Sequence, residues 1–246
     1  MDWIKKARFA QCVSRTKLWL SGAQFGAALI VAALSFAAMA TEPITLRPHP
    51  TQSYLQLDIE HRETQLQFDQ EVATTIDHAG ISLQEILAPD TAGTLDLGLV
   101  SVTLDDIEAT KGMDLTGNYL GLGILHAPPS LSALQPWLGA DYTFHQVDDT
   151  LGSRTALMRW HEIVAHVGIV WRSSKNTALR LAAHYEVTDG TETISGDTAQ
   201  TTSFENNASS WASEIFTWEL EPGGYVGASL QQGSRSGWRI TFAREF

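Results

Sequence analysis

Strict alternation of apolar and polar side chains over long stretches is the feature of this sequence that most limits its fold. Between Leu138 and Phe144 the even positions are apolar, and the odd positions are small or polar. Between Ile163 and Trp171 the larger apolar side chains occupy the odd positions instead. A period of two is typical of β-strands, because successive side chains of a strand point to opposite faces. The sequence therefore predicts an all-β protein from about Tyr54 onward.

The first 40 residues follow a different pattern, which is typical of an export signal. Five positive charges precede an uncharged run over residues 18–41, which contains an A-x-A site ending at Ala40. We expect cleavage after Ala40, so that 1–40 is a signal peptide and 41–246 is the single mature domain. The alternative is an uncleaved membrane anchor, because the uncharged run is long enough to cross a bilayer.

Charge and cysteine content exclude several classes of function. The chain has 246 residues, with 16 basic side chains, 28 acidic side chains and one cysteine. The acidic balance argues against nucleic acid as a partner, because phosphate binding requires a basic surface. A single cysteine excludes an internal disulfide framework and a four-thiolate zinc site. No specific cofactor or metal motif is present, so we expect neither group.

Alternation alone is compatible with two kinds of all-β protein, a soluble sandwich or barrel and an outer-membrane barrel. Several predicted strands reach ten residues or more, a length that suits a tilted membrane crossing. Tryptophans near predicted strand ends suit the aromatic girdles of membrane barrels; they are Trp137, Trp160, Trp171, Trp211 and Trp238. These features favour the outer-membrane barrel.

The C-terminal segment WRITFAREF resembles the closing strand of Gram-negative outer-membrane β-barrel proteins. In that family the last residue is usually Phe, and alternating positions before it are apolar; the matching residues here are Trp238, Ile240, Phe242 and Phe246. Arg244 departs from the pattern, because an apolar residue is usual there. The resemblance implies a small outer-membrane barrel of no identified subfamily, whose last strand is an assembly signal for the barrel-assembly machinery. It also implies contact with outer-membrane lipid and lipopolysaccharide.

We predict an antiparallel up-and-down transmembrane β-barrel of about ten strands, with eight strands as the alternative. The predicted strands are 54–61, 65–76, 94–104, 117–126, 137–147, 158–172, 177–187, 211–221, 224–232 and 237–246. With both termini in the periplasm, the segments 105–116, 148–157 and 188–210 become external loops. The segment 77–93 is then a long periplasmic turn, in which ISLQEIL is predicted to form a short helix.

The predicted hairpin 158–187 contains the titratable side chains that are the strongest candidates for metal binding or proton transfer. We match the apolar faces of its two strands across a three-residue turn. The numbers of directly paired residues then sum to 350, and Trp171 pairs with Leu179 on the lipid side. The lumen side then holds a cluster formed by Glu162, His166, Arg180, His184 and Glu186. One interpretation is a metal site or an acid–base pair. The interpretation that we favour is a set of charges that pair with each other inside a narrow barrel. Further inward positions are predicted at Asp141, His145, Arg239 and Glu245.

Three other motifs carry less weight. His161 and His166 resemble the zinc-protease H-E-x-x-H motif, but their spacing of five places them on opposite faces of a strand. Gly121 and Gly123 are predicted to point inward, where small residues make room for bulkier neighbours. The acidic residues of the predicted loops fit a solvated surface, with Ca²⁺ binding or bridging to lipopolysaccharide as the alternative; they are Asp105, Asp106, Glu108, Asp148 and Asp149.

Three functional hypotheses follow. The leading one is a non-enzymatic outer-membrane barrel with a side-chain-filled polar lumen and external loops for binding or envelope integrity. The second is a barrel enzyme that modifies outer-membrane lipid, for which the sequence offers no motif. The third is a narrow, porin-like channel, ranked last because bulky inward residues leave little open bore.

Overall fold

A computed structural model describes residues 53–104, 110–128, 134–172, 177–196 and 199–246. The expected signal peptide 1–40 and its cleavage site lie outside the described residues. In the part of the chain that is described, no helix has the length and apolar character needed to cross a membrane.

Ten antiparallel strands form one closed ring, in which each strand pairs with its neighbours in sequence and β1 pairs with β10. The strands are β1 (Tyr54–Gln67), β2 (Glu71–Ala88), β3 (Thr91–Leu104), β4 (Leu115–His126), β5 (Leu134–Leu151), β6 (Arg154–Arg172), β7 (Thr177–Ser195), β8 (Gln200–Glu221), β9 (Gly224–Gly233) and β10 (Ser236–Glu245). The predicted up-and-down barrel of ten strands is confirmed. We call the end where β1 begins and β10 ends the terminal end, and the opposite end the far end.

β2 is one strand of 18 residues, although the sequence analysis predicted a turn over 77–93. Ile81 pairs with Leu57 of β1 and with Leu97 of β3. The helix predicted for ISLQEIL is therefore wrong, because its residues belong to a strand that is bonded on both sides. The first turn, predicted at 62–64, lies at 68–70, because both flanking strands are longer than predicted.

Two of the three predicted external loops are mostly strand. β5 and β6 cover nearly all of 148–157 and meet at a two-residue turn, where Gly152 has a φ of 65°. β7 and β8 together cover most of 188–210. Of the third segment, 105–116, the residues 105–109 lie outside the described residues. The prediction of long loops is wrong because the polar residues of these segments form the outward face of long strands.

In the terminal half of the ring, the outward side chains are apolar, and most inward side chains are polar apart from a small apolar cluster around Trp137. On β1, Leu55, Leu57 and Ile59 are exposed on the outside. Asp58 and Glu60 alternate with them and point inward. An apolar exterior around a polar interior is the arrangement of a barrel that crosses a membrane. We call this exterior the lipid belt; it also includes Ile81, Leu97, Leu99, Leu120, Leu122, Ile124, Leu138, Ile163, Val167, Leu230, Ile240 and Phe242.

Beyond the lipid belt, toward the far end, the polarity of the two faces is reversed. On β1, Leu66 points inward and is buried, whereas Gln65 and Gln67 point outward and are exposed. The inward side chains of this region form one apolar core, made of Leu66, Ile76, Val100, Val102, Met113, Leu115, Val147, Ala156, Met158, Trp160 and Phe204. We call the far ends of β1 to β8, with the turns between them, the extension. The extension is built like a soluble barrel, with apolar side chains inside and polar side chains outside.

The extension also has fewer strands than the lipid belt. β9 and β10 have 10 residues each, whereas β8 has 22. Beyond the tip of the β9–β10 hairpin, Gln67 of β1 pairs directly with Glu205 of β8. The Nδ2 atom of Asn206 donates a hydrogen bond to Oγ1 of Thr64 at 3.0 Å across the same junction. The ring therefore has ten strands at the lipid belt and eight in the extension.

Two of the tryptophans assigned to the aromatic girdles lie inside the barrel. Trp137 is 5% exposed and Trp160 is 2% exposed, whereas Trp211 is 69% exposed. Trp160 belongs to the core of the extension, and Trp137 belongs to a smaller apolar cluster toward the terminal end. The girdle prediction is wrong for these two residues, because the interior is apolar at both of those levels.

Candidate functional site

The register of β6 and β7 brings the predicted cluster together on the lumen side. His166 pairs with His184, Val164 with Glu186 and Val170 with Arg180. Each pair sums to 350, so the predicted register is confirmed. The register follows from the apolar faces, because a shift by one residue would turn the lipid-facing side chains into the lumen.

Glu162 lies in a buried charge network between the lumen of the belt and the core of the extension. Arg62 of β1 donates from Nη1 and Nη2 to the two carboxylate oxygens of Glu162, at 2.9 and 3.1 Å. Arg235 donates from Nη1 to Oε1 of the same carboxylate at 3.3 Å. All three side chains are buried. Their mutual pairing satisfies charges that would be costly to bury alone.

The network continues to two more carboxylates. Arg235, which precedes β10 in the turn after β9, also contacts Glu186. Glu60 accepts hydrogen bonds from Nε and Nη2 of Arg239 at 3.2 and 2.7 Å, and its Oε1 lies 3.6 Å from Nε of Arg62. Glu60, Arg62 and Arg235 were not predicted, because their partners lie on strands far away in the sequence. Alternation places a residue inside a barrel, but it does not show which strands face each other.

The two histidines of the predicted cluster occupy a separate place in the lumen. The rings of His166 and His184 meet edge to face, with centroids 5.7 Å apart. Nδ1 of His166 lies 3.4 Å from Oδ2 of Asp141, and its ring packs against Trp137 with centroids 4.9 Å apart. The guanidinium carbon of Arg180 lies 5.1 Å from the centroid of the Trp137 ring. The predicted cluster is thus divided, with its carboxylates in the charge network and its histidines beside Trp137.

A third group, which includes a histidine that the sequence analysis missed, lies directly below the core of the extension. The Nε2 atoms of His78 and His145 are 3.2 Å apart. His145 stacks on Trp160 with centroids 4.4 Å apart and an interplanar angle of 5°, and Tyr119 packs against both histidines. His145 was predicted to point inward. His78 was missed because its segment was assigned to a turn.

A cavity of about 290 Å³ lies in the lumen among these groups. Its charged and imidazole lining consists of Asp58, Glu60, Arg62, His78, Asp96, Asp141, His145, Glu162, His166, Arg180, His184, Arg235 and Arg239. The core of the extension lies on its far side, and the apolar cluster around Trp137 occupies part of the lumen toward the terminal end. The interior is therefore filled by apolar side chains in the extension, whereas the polar middle of the barrel keeps a cavity. The side-chain-filled polar lumen stays a prediction.

Two predicted side-chain directions are confirmed. His161 is exposed on the outside, whereas His166 points into the lumen, so the two cannot act together at one site. Gly121 and Gly123 follow the inward alternation of β4. A Cβ atom at Gly123 would collide with the side chain of Asp141, so the glycine makes room for that carboxylate.

The acidic segment that was predicted to bind Ca²⁺ as an alternative shows a structural role where it is described. Asp149 accepts hydrogen bonds from the backbone N–H groups of Asp114 and Thr150, at 2.8 and 2.7 Å. Asp105, Asp106 and Glu108 lie outside the described residues. Among the residues that are described, no group of three His, Cys, Asp or Glu side chains is placed to hold a metal ion.

The outer face of the barrel carries a further cluster at the far edge of the lipid belt. Nδ1 of His61 lies 2.7 Å from Oδ1 of Asp77, and Nε2 of His61 lies 3.9 Å from Oε1 of Glu63. Oγ of Ser236 lies 3.5 Å from Oε2 of Glu63. The ring of His61 stacks on Trp238 with centroids 5.9 Å apart. We call these five residues the rim cluster. It was not predicted, because it forms only when β1 lies between β2 and β10.

A closed antiparallel ring with an apolar exterior and a charged lumen defines the class of fold. The chain is an outer-membrane-type β-barrel. Its subfamily is not identified. No family model matches the sequence, and no curated protein matches it.

Several solved structures of outer-membrane barrels are similar to this chain at low sequence identity. The outer membrane protein OprG from Pseudomonas aeruginosa is 13% identical over 80% of this chain and 97% of that chain, with a TM-score of 0.43. The outer membrane protease OmpT from Escherichia coli is 9% identical over 84% and 100% of the two chains, with a TM-score of 0.43. The transport unit of the autotransporter AIDA-I from Escherichia coli is 10% identical over 87% and 97%, with a TM-score of 0.46.

Proposed function

We propose that this protein is a non-conducting outer-membrane barrel with a structural role in the cell envelope, whose lumen serves stability rather than transport or catalysis. The observation that carries the proposal is the reversal of polarity between the lipid belt and the extension. A conducting barrel needs a polar path along its whole axis, because water and ions do not enter an apolar core. Here the polar lumen of the belt ends at buried side chains such as Met158, Trp160 and Phe204.

The pairing of the lumenal charges supports a stabilising role for them. Glu162 is held by two arginines, and Glu60 is held by Arg239. A carboxylate that acts as a base needs an accessible oxygen, whereas these carboxylates are buried among guanidinium groups. We therefore assign Glu162, Glu186 and Glu60 to the stability of the barrel.

Export, insertion and orientation are part of the same proposal. The expected signal peptide 1–40 supports export from the cytoplasm. The outward apolar side chains of the closing strand support recognition by the barrel-assembly machinery; they are Trp238, Ile240, Phe242 and Phe246. With both termini in the periplasm, the extension stands on the outside of the cell.

The outer surface of the extension suits lipopolysaccharide that is bridged by divalent cations. Its exposed acidic residues outnumber the basic ones among the described side chains; they are Glu63, Asp69, Glu71, Asp77, Asp114, Asp148, Asp189 and Glu205. Carboxylates repel the phosphates of lipopolysaccharide, but they share Mg²⁺ or Ca²⁺ with them readily. Removal of divalent cations is then expected to lower the temperature at which the folded barrel unfolds in native outer membranes.

Two measurements test the proposal, gel mobility with and without boiling and single-channel conductance in planar bilayers. A folded barrel in detergent migrates differently after boiling, and we expect this shift together with no steady conductance. The double variant Trp160→Ser/Phe204→Ser opens the core of the extension and lines the opening with hydroxyl groups, and we expect it to conduct if it retains the shift. Leu122→Ala, which alters only the lipid belt, is the matched control. A steady conductance of the unaltered protein would contradict the proposal.

A further inference from the structure

We propose that the rim cluster is a hydrolytic site for carboxylic esters of outer-leaflet lipids, with His61 as general base and Asp77 as the residue that positions it. The site lies on the outside of the barrel. It is therefore independent of the role proposed for the lumen. It rests on the proposed insertion and orientation of the barrel, which the gel shift on boiling tests separately from any lipid hydrolysis.

The geometry of His61 and Asp77 is that of a general base and its positioning carboxylate. Asp77 Oδ1 lies 2.7 Å from Nδ1 of His61 and holds the proton on that nitrogen. Nε2 is then the basic nitrogen of the ring. Oε1 of Glu63 lies 3.9 Å from Nε2, which is beyond hydrogen-bonding distance. The two side chains are 32% and 55% exposed, so a substrate can reach them.

The depth of the site selects the class of substrate. His61 follows Ile59 on the outer face of β1 and pairs with Trp238 of β10, and both neighbours belong to the exposed apolar surface. Immediately beyond it, Glu63 and Ser236 begin the polar exterior of the extension. The ester groups of membrane lipids lie at the same boundary, between the hydrocarbon chains and the head groups. A base at this height faces ester carbonyl groups rather than sugars or the ends of acyl chains.

The flanking residues fit the two sides of a lipid ester. Trp238 is directly paired with His61 and belongs to the exposed apolar surface, and its ring stacks on the imidazole and offers an apolar surface to an acyl chain. Glu63 and Ser236 lie on the side of the head groups, where they can accept or donate hydrogen bonds to hydroxyl groups. The site is thus apolar on one side and polar on the other.

The reaction is a simple hydrolysis with water as the only co-reactant. Nε2 of His61 accepts a proton from water while the water oxygen forms a bond to the ester carbonyl carbon. The bond between that carbon and the alkoxy oxygen then breaks, and the alkoxy oxygen takes the proton from Nε2. The products are a free fatty acid and a lipid with one new hydroxyl group, and His61 returns to its starting state.

The same barrel supplies a matched control. His161 also lies on the outer face of the barrel, where Nδ1 contacts the hydroxyl group of Tyr142 and the ring packs against Phe144. Its directly paired residue on β7 is Asp189. Nδ1 of His161 nevertheless contacts a phenol, whereas Nδ1 of His61 contacts a carboxylate. A tyrosine hydroxyl group does not stabilise an imidazolium as a carboxylate does, so His161 is expected to be inactive.

The experiment measures fatty-acid release by mass spectrometry from the folded full-length protein in two kinds of vesicle. One contains phospholipid alone, and the other contains phospholipid with purified lipopolysaccharide, so the two arms identify the source of the ester. We expect release above protein-free vesicles in at least one arm. His61→Ala and Asp77→Asn are expected to lower it by roughly a hundredfold, whereas His161→Ala is expected to stay within about twofold of the unaltered protein.

Two readouts separate chemistry from a structural effect. All variants must show the same gel shift on boiling as the unaltered protein. Asp77→Asn is expected to lower kcat and leave KM nearly unchanged, and Asp77→Glu is expected to restore part of the rate. No release from the unaltered protein in either arm overturns the proposal. Equal release from His61→Ala, or equal losses in the His61 and His161 variants, overturns it as well.

Discussion

Gln67 of β1 pairs with Glu205 of β8, although β9 and β10 separate these two strands in the ring at the lipid belt. The pairing is possible because the β9–β10 hairpin ends below it, at the turn that contains Arg235. The interior also changes at this level, from charged side chains to an apolar core. An eight-stranded ring has a smaller interior than a ten-stranded ring, and side chains alone can fill it.

The junction can be tested by cross-linking. A disulfide is expected to form in the double variant Gln67→Cys/Glu205→Cys during export, because directly paired strand residues lie within reach of an S–S bond. It is read from mobility on a non-reducing gel. The pair Ile59→Cys/Trp211→Cys, which lies on the same two strands but is separated by the hairpin, is the control and is expected to stay reduced. Equal cross-linking of both pairs would contradict the eight-stranded closure.

Arg235 is expected to be among the most sensitive single positions of the barrel. Arg235→Ala leaves Glu186 and Glu162 with fewer cations in a buried site, and breaking such a pair costs roughly 3–5 kcal/mol. The free energy of unfolding can be measured by urea titration in lipid vesicles. Adding Glu186→Gln is expected to recover part of the loss, because it removes the negative charge of the carboxylate whose contact with the Arg235 guanidinium is lost.

An exposed ion pair provides the comparison for Arg235. Arg244 contacts Glu221 at the terminal end, and both side chains are largely exposed. Arg244→Ala is expected to cost about 0–1 kcal/mol, since solvent screens surface pairs. A similar loss of stability in the Arg235 and Arg244 variants would show that the buried network does not stabilise the barrel.

The core of the extension is expected to behave like the core of a soluble protein. Met158 is fully buried in it, and Met158→Ala is expected to cost roughly 2–5 kcal/mol because it leaves a cavity. Leu122→Ala in the lipid belt removes a side chain that contacts lipid, and its cost is expected to be smaller because lipid tails refill the space. Urea titration of both variants measures the difference, and a larger loss for Leu122→Ala would contradict the assignment of the two regions.

Glu192 gives the stability of the extension a dependence on pH. It is 4% exposed and points into the extension, where burial raises the pKa of its carboxyl group above the ordinary value of 4.5. Below that value the group is neutral in the folded and unfolded states, and it contributes no pH dependence. As the pH rises through the folded pKa, the folded state must bury a charge, so stability falls.

The matched variants are Glu192→Gln and Glu71→Gln, the latter on the exposed outer face of the extension. Glu192→Gln is expected to be more stable than the unaltered protein at about pH 8 and equally stable at about pH 4. Glu71→Gln is expected to follow the unaltered protein at both values. Unfolding temperatures across the pH range measure this, and a constant gap for Glu192→Gln would contradict the burial argument.

The strand count and the β6–β7 register could be predicted from the sequence. Every second residue of a strand in the lipid belt faces lipid and is therefore apolar, and this alternation is visible in the sequence. The extension was missed although its signal is present in the same strands. In β6 the buried apolar residues Met158 and Trp160 fall on even positions. The large apolar residues Ile163, Ile169 and Trp171 fall on odd positions. This change of phase marks the level at which the surroundings change from water to lipid. The segment 188–210 was assigned to a loop because its outward residues are mostly polar. Polarity alone does not distinguish a loop from a strand whose outer face is exposed to water.

The candidate sites were less predictable, since they depend on contacts between strands that are distant in sequence. Glu162 and Arg62 are 100 residues apart, and no local pattern connects them. The same holds for Ser236 and Glu63, which meet only because the last strand closes on the first. Pairings between the first and last strands depend on the register of every strand in the ring. The register of a single hairpin depends only on its turn and on the apolar faces of its two strands.

The loss of two strands above the lipid belt gives the barrel a tapered outline. Each strand takes up about 4.8 Å of circumference, so the outer part is narrower by roughly 10 Å around its perimeter. The taper begins at the height of the rim cluster, where lipid head groups surround the protein. In the orientation proposed above, head groups of the outer leaflet have more lateral room beside this protein than the hydrocarbon chains beneath them, and lipids with bulky head groups fit that contour best.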